Sequence, residues 1–359
     1  MTVNEGIMVH RGGPQDIPGL SRLVDEVMRP YAVPGQGMAR RFPLLYQASN
    51  AHNFYFVEDP KTHRPISMAV VWRGTVVAEG IRIPMAAIGS VATAREHRSK
   101  TLASTILQRI WYDLQQDHVP ITLISGQRNL YYRLGAIEAG SFIKVEVDAC
   151  SSALQLWDGR LERISDQPEQ FAEPLMQVYR TEPVRYNRTC NDMKHLLRGL
   201  AYPAQNMQHE LFIAIRHKRI MAYAIIGTSD RWKGAHIMEW AGSREAIFSL
   251  AHYATIDLET PFTVFMVKNH DWSMRDLIER IGLPTVWSTN LGTMAIIDWK
   301  SFIDAIHPWL VESGAINKIK GINPDLICDG SDLRRLTQWV FSQTGLDFPW
   351  PYAGELNYV

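Results

Sequence analysis

A chain of 359 residues exceeds one ordinary domain, and 46% apolar with 21% charged residues is the makeup of a globular protein with ample core, not of a disordered or fibrous one. Lysine plus arginine and aspartate plus glutamate both number 37, so no overall field invites nucleic acid or an anionic membrane, and neither is expected as a partner. Cys150, Cys190 and Cys328 are too scattered for a disulfide framework or a zinc ribbon, the start MTVNEGIMVHRGG has no basic segment leading into an apolar core, and no apolar run is long enough to span a bilayer; the expectation is a cytoplasmic protein.

In chain order, Gly6 to Arg11 reads as a first strand ended by the turn GGPQD. Asp16 and Pro18 then open a helix whose apolar positions Ile17, Leu20, Leu23, Val24, Val27 and Met28 keep helical spacing. After the polar loop AVPGQGM, Arg40 to Gln47 reads as a second helix. NFYFVED and ISMAVVWRGTVVAEG read as antiparallel strands about the turn PKTHRP. The run AAIGSVAT from Ala86 is a buried strand, broken by the charged turn AREHRSK. Leu102, Ile106, Leu107, Ile110 and Leu114 then share one face of a helix from about Lys100 to Gln116. VPITLISG is another strand, QRNLYYRLG a short helix closed by Gly135, and SFIKVEVDA an alternating strand.

Strand, basic turn, helix is the order that makes an anion site. The unpaired N–H groups of a first helical turn point back at the turn, the helix dipole adds partial positive charge, and Arg98 and Lys100 bring full charges to the same place. A basic turn is by itself more often a solvated surface. The segments beyond the helix add the specificity that the turn lacks. Together they resemble the acyl-CoA-binding half of the GNAT superfamily of N-acyltransferases, whose fourth strand reads like V-A-V, whose turn reads like R-x-x-G-x-G and whose later tyrosine lies in Y-x-x-x-G-F. The matching residues are Val91-Ala92-Thr93, Arg98-Ser99-Lys100-Thr101-Leu102-Ala103 and Tyr131-Tyr132-Arg133-Leu134-Gly135-Ala136. The resemblance is closer to the Eis (enhanced intracellular survival) family, a tandem-GNAT subgroup. Its T-H-R-R-R-G turn is matched by Glu96 to Thr101, and its I-Y-G-R-F-G segment by Leu130 to Gly135.

That resemblance implies an α/β fold of mixed sheets in tandem GNAT-like domains. Residues 1–150 would be the acetyltransferase domain and 151–300 a second domain without a cofactor site. In that second cycle FAEPLMQVYRT and CNDMKHLLRGL are helical in pattern, HELFIAIRH and IMAYAIIG are strands about a KR turn, and HIMEWAG runs into the helix SREAIFSLAHYATI with Ser243 as cap but no basic turn between them. Residues 301–359, with the amphipathic helices SFIDAIHPWLVESG and GSDLRRLTQWVFSQTG and the caps Ser331 and Asp332, resemble parts of a sterol-carrier-like domain that is reduced here.

The family implies acetyl-CoA as co-substrate, an amine on a small molecule or peptide as acceptor, and homo-oligomers. It implies pantetheine binding at Val91, Ala92 and Thr93, and pyrophosphate binding at Arg98, Ser99, Lys100, Thr101, Leu102 and Ala103. Tyr131 would be the general acid for the departing thiolate, where a phenol stays protonated at neutral pH. The family's terminal carboxylate, a base, corresponds by position to Val359. Ser99 and Thr101 depart from the motif's glycines, and Thr101→Gly is expected to cost roughly 1 kcal/mol if Thr101 lies inside the first helical turn. The rival reading is a non-catalytic acyl-CoA sensor or scaffold with a decayed site.

Other candidates have plainer readings. His209 and His217, eight apart, would face the same side of a strand as packing or surface histidines, and no metal is expected. Asp25 and Glu26, near the end of the first helix, could attract a cationic amine, but a solvated helix face explains them as well.

Overall fold

In the computed structural model, residues 6–30, 37–149, 156–199, 208–319 and 330–357 are described. The first half runs β1 (His10–Arg11), α1 (Ile17–Met28), α2 (Met38–Arg41), β2 (Phe54–Glu58), β3 (Pro65–Ala78), β4 (Ile81–Thr93), α3 (Leu102–Gln116), β5 (Ile121–Ile124), α4 (Asn129–Tyr132) and β6 (Phe142–Asp148). The second runs β7 (Arg160–Ile164), α5 (Ala172–Tyr179), β8 (Val184–Tyr186), α6 (Cys190–Gly199), β9 (Gln208–Arg216), β10 (Arg219–Thr228), β11 (Ala235–Gly242), α7 (Arg244–Asp257), β12 (Phe262–Lys268), α8 (Trp272–Ile281), β13 (Thr285–Ser288) and β14 (Thr293–Ile296). The helices α9 (Trp299–Glu312), α10 (Ile316–Ile319) and α11 (Gly330–Val340) close the order.

The strands form two mixed sheets. The first has the order β1-β2-β3-β4-β5-β14, with β8 added on β3; the second is β13-β6-β12-β11-β10-β9-β7. Each sheet has one parallel pair, β4 with β5 and β11 with β12, inside otherwise antiparallel neighbours. The two halves trade strands. β6, the last strand of the stretch 1–150, lies along the whole of β12 in the second sheet, while β14 returns to pair antiparallel with β5 in the first. Alternation in FIKVEVD marks a strand but carries nothing about which edge it will join.

Burial on both faces follows from the strand period of two. In β2, Phe54 and Phe56 face a core shared with Phe302, Ile306 and Leu310 of α9 and with Phe341, while Tyr55 and Val57 face the core under Ile106, Leu107 and Ile110 of α3. The second sheet repeats the arrangement: Leu211 and Ile213 pack with α5 and α6, and Phe212 and Ala214 pack with α7 and α8. The C-terminal helices therefore complete the first sheet's core.

Several local expectations shift. The first strand is confined to His10–Arg11, and β4 begins at Ile81, five residues before the apolar run at Ala86. The helix expected from Arg40 to Gln47 stops at Arg41, because Pro43 disfavours helical geometry at Phe42, which takes φ −123° and ψ 63°. His217 lies in the β9–β10 turn at φ 49°, not on the strand with His209. Ser331 and Asp332 lie outside the residues whose side chains are described.

Candidate active site

The parallel pairing of β4 with β5 lasts for four residues, Met85 to Ile88 against Ile121 to Ile124. β5 then turns off at Ser125, whose N–H donates to the Ile88 carbonyl at 3.1 Å, and β4 runs on alone from Gly89 to Thr93. On its other edge β4 carries a bulge. Met68 pairs with Ala92 and Val70 with Gly89, so Ser90 and Val91 together stand opposite Ala69 of β3, one residue in excess, and Ser90 sits at φ 51°. The result is a wedge between two parallel strands, walled on one side by backbone that no strand covers. An extended chain with amide groups can hydrogen-bond to such backbone as a further strand does.

Beyond Thr93 the chain makes a single 3₁₀ turn, Arg95–His97, and then the short stretch Arg98 to Thr101 leads into α3. Arg98 bends back so that Nε lies 3.4 Å from the Thr93 carbonyl, and Ser99, Lys100 and Thr101 are exposed. Thr101 is the N-cap at φ 59° and its hydroxyl donates to the Lys100 carbonyl at 2.7 Å, leaving the first helical N–H groups without a side-chain cap. Ser99 is likewise left-handed, at φ 64°. Thr101, aligned with the first glycine of the motif, and Ser99 thus hold the backbone conformation glycine adopts freely, in side chains that adopt it at a cost.

Val91, Ala92, Thr93 and Arg98 to Ala103 therefore lie along one continuous wall and rim. Tyr131 is brought to the same place. It is 3% exposed and shares a buried cluster with Val91, Leu102 and Ile106. Burial pushes its phenol above the ordinary value, with Arg128 opposing. Gly126, at φ 147°, lies under the ring, where an added Cβ would come within 3.1 Å of it. Tyr132 points away and donates to Glu138 at 2.6 Å on the surface, an acceptor that raises its pKa.

Of the tail, sequence reasoning named only Val359; that Ala353 and Asn357 bound the wedge on its other side it missed. A cavity of about 10 Å³, room for a single water, is lined by Ala87, Leu123, Ile124 and Ser125 from the wedge and by Tyr186, Leu291, Ala353 and Asn357. Val359 itself lies outside the described residues. The preceding segment is pinned: Asn290 accepts the Ala353 N–H at 2.7 Å and donates to the Pro351 carbonyl at 3.2 Å, and Glu239 accepts the Leu356 N–H at 2.9 Å. Glu239 is held by both terminal nitrogens of Arg188, at 2.8 and 2.7 Å, and by the Tyr223 hydroxyl at 2.8 Å, all buried. Arg188 also bonds Asn357 and lies over the Tyr179 ring. No spacing in the sequence links Arg188, Glu239 and Glu355, which come from three separate segments.

The corresponding wedge in the second sheet is filled from within. β11 and β12 pair at only two positions, and the Trp240 indole then bridges the gap, donating to the Met266 carbonyl at 3.1 Å. At the start of α7 a resident carboxylate stands where a basic turn stands in the first: Glu182 accepts from the Gly242 N–H and from both terminal nitrogens of Arg244, each at 2.8 Å. Ser243 caps the helix through the Ala246 N–H at 3.4 Å.

Asp25 accepts the Met38 N–H at 2.7 Å and so ties α1 to α2. His209 is half-buried, and desolvation of its imidazole, with Arg41 adding to it, lowers its pKa to about 3. Among the described residues no group of three or more histidine, cysteine, aspartate or glutamate side chains could hold a metal ion, and no helix is long and apolar enough to cross a membrane.

Compared with known proteins, residues 9–137 match the model of an acetyltransferase (GNAT) domain. By sequence, no curated protein matches the chain significantly. Among solved structures, a probable N-acyltransferase of unknown function from Enterococcus faecalis is similar at 17% identity and TM-score 0.61, covering 83% of this chain and 74% of that one. A GCN5-related N-acetyltransferase from Anabaena variabilis is similar at 16% identity and TM-score 0.59, with 83% and 75% covered. Eis1 from Mycobacterium abscessus is similar at 14% identity and TM-score 0.57, also with 83% and 75% covered. The wedge at β4 and β5, the turn ahead of α3 and the family match over the same stretch agree: residues 9–137 form a domain similar to the acetyltransferase (GNAT) domain, in a chain whose fold is similar to that of Eis1.

Proposed function

We propose that the protein transfers an acetyl group from acetyl-CoA to a primary amine of a small molecule or peptide by direct attack. The observation that carries this reading is the uncovered edge of β4 from Gly89 to Thr93, which leads into an uncapped helix start flanked by Arg98 and Lys100. The pantetheine arm lies along Val91 to Thr93 as an added strand does, and the pyrophosphate meets the N–H groups of Leu102 and Ala103 with Arg98 beside them. The acceptor nitrogen forms the new C–N bond at the thioester carbonyl while the C–S bond breaks. β4 backbone N–H groups stabilise the oxyanion, the thiolate takes its proton from Tyr131, and the amine gives one up to a carboxylate at Val359. Asn357, two residues before Val359, lines the cavity at the wedge, which supports that last role.

Residues 1–150 act as the catalytic domain, 151–300 as a domain without a cofactor site and 301–359 as the segment that joins the first core and carries the tail. Trp240 and Glu182 support one coenzyme per chain, since an indole and a carboxylate occupy the second domain's counterparts of the pantetheine and phosphate sites. A cytoplasmic setting is supported by Cys190 being a free thiol. The test is thiol release from acetyl-CoA over a panel of polyamines, aminoglycosides and lysine peptides, with calorimetry of acetyl-CoA binding alongside. Stoichiometric binding without thiol release from any amine would instead favour the acyl-CoA sensor, and two equal sites would sink the assignment of the second domain.

A further inference from the structure

The β4 bulge is held from the face of the first sheet opposite α3. Ser90 sits at φ 51°, a conformation a side chain adopts only where its surroundings enforce it. What enforces it is visible. The Tyr46 hydroxyl donates to Ser90 Oγ at 2.9 Å, and both residues are buried, at 7% and 4% exposure. The Tyr46 ring is itself fixed, with its edge against Phe54 of β2 at 5.3 Å between centroids, and it comes directly after the Leu44–Leu45 segment that is packed in two cores. The bulge is also where β4 parts from β5, so the orientation of the Ser90–Val91 peptide decides which backbone groups face the wedge.

We infer that Tyr46 is a positioning residue for acyl transfer: its buried hydroxyl holds Ser90 in the left-handed bulge and so aims the β4 backbone N–H groups at the thioester oxygen. The inference rests on the acyl-transfer reading above. Tyr46 acts through Ser90, the partner of its hydroxyl. A donor aimed slightly off the oxyanion loses most of its value, because such groups stabilise charge only when preorganised.

The test compares three variants of the full chain by steady-state kinetics with acetyl-CoA and by hydrogen exchange of the peptide covering Gly89 to Thr93. Tyr46→Phe keeps the ring and removes the hydroxyl. It is expected to lower kcat by about tenfold or more with KM for acetyl-CoA unchanged, and to speed exchange across the bulge. Ser90→Gly takes the left-handed conformation without help, so it is expected to lose less kcat than Tyr46→Phe. The double variant, with glycine already at the bulge, is expected to match Ser90→Gly in kcat and in exchange despite the lost hydroxyl, whereas a merely structural tyrosine would slow turnover in both backgrounds alike. Full kcat in Tyr46→Phe, or a double variant as slow as that single one, overturns the inference. Should the unsubstituted protein release no thiol, the acyl-transfer reading fails, and exchange alone then decides the clamp: faster exchange in Tyr46→Phe upholds it and unchanged exchange overturns it.

Discussion

Glu239 and Glu355 are buried in the same place and divide their neighbours unequally. Glu239 holds Arg188 through two hydrogen bonds and accepts from Tyr223 and the Leu356 N–H, which keeps its carboxyl below the ordinary value against the cost of burial. Glu355 has Lys268 at 3.3 Å and the Tyr179 hydroxyl at 3.5 Å, and burial pushes its pKa up to about 7. Desolvation raises both carboxyls. Only the bidentate arginine outweighs it. With a neighbouring anion already fixed, the second carboxyl takes the proton more readily.

The sign of the pH dependence is set by that shift. A carboxyl raised to about 7 from an ordinary 4.5 binds its proton more tightly in the folded chain than in the unfolded one. Its contribution to stability is fully present below the unfolded value and is lost as pH rises through 7. Glu355→Gln keeps the shape and removes the titration. Thermal melts from pH 5 to 8.5 are expected to show wild type falling relative to this variant between pH 5 and 7 and running parallel to it above 7, and parallel curves throughout would mean that Lys268 holds Glu355 ionised at every pH. Glu239→Ala is the contrasting substitution. It strands Arg188, 1% exposed at its side chain, and is expected to cost about 3–5 kcal/mol at any pH in that range.

Among the described residues the Arg98 side chain has one hydrogen bond, a long one of 3.4 Å to the Thr93 carbonyl, and it is not part of the core. Arg98→Ala is therefore expected to leave the melting temperature unchanged while weakening acetyl-CoA by roughly tenfold to a hundredfold, the worth of a charge-assisted contact of about 1.5–3 kcal/mol. Calorimetry gives both parts; equal affinity in the variant would leave the phosphates to the helix N–H groups and Lys100 alone.

Thr101 reverses an expectation drawn from sequence. Inside a helical turn, glycine at this position would cost stability. As an N-cap at φ 59°, a β-branched residue is the strained choice, so Thr101→Gly is expected to stabilise by about 0.5–1 kcal/mol. The hydroxyl donates to the neighbouring Lys100 carbonyl, so its loss leaves that carbonyl to water. Coenzyme affinity is expected to hold or rise. Poorer binding by calorimetry would show instead that the hydroxyl turns to a phosphate when the ligand arrives.

What the sequence makes legible is whatever is local. The period of the apolar residues in α3, the turn before it and the glycine after Tyr132 lie within one continuous stretch, and each has a short-range physical signature. The tail is different in kind. Leu356 meets Glu239 across 117 residues and Lys268 meets Glu355 across nearly ninety, and neither spacing has a pattern. The exchange of β6 and β14 is hidden for the same reason: alternation fixes which side chains face the core, not which sheet supplies the partner. The sequence around Tyr46 suggests a helix that Pro43 prevents, so the approach of Tyr46 to Ser90 has no local signature at all.

Tyr131 and Tyr132 give the sharpest test of mechanism, because adjacent phenols have been sent to opposite environments. Tyr131 is buried in the core cluster that also holds Val91 and Leu102, and its raised pKa keeps it a proton donor across the neutral range. Tyr132 is on the surface, tied to Glu138. Tyr131→Phe keeps the packed ring, so acetyl-CoA affinity and melting temperature are expected to stay put. Turnover is expected to fall by about 10²–10⁴, the range for a lost general acid. Tyr132→Phe loses only a surface hydrogen bond and is expected to turn over as wild type does. If both variants keep full turnover, with an amine known to be acetylated, the thiolate leaves with a proton from water and Tyr131 is a wall of the wedge. If Tyr132→Phe alone is slow, α4 must rotate when coenzyme binds, bringing the second phenol in place of the first, and hydrogen exchange of α4 with and without acetyl-CoA would show it.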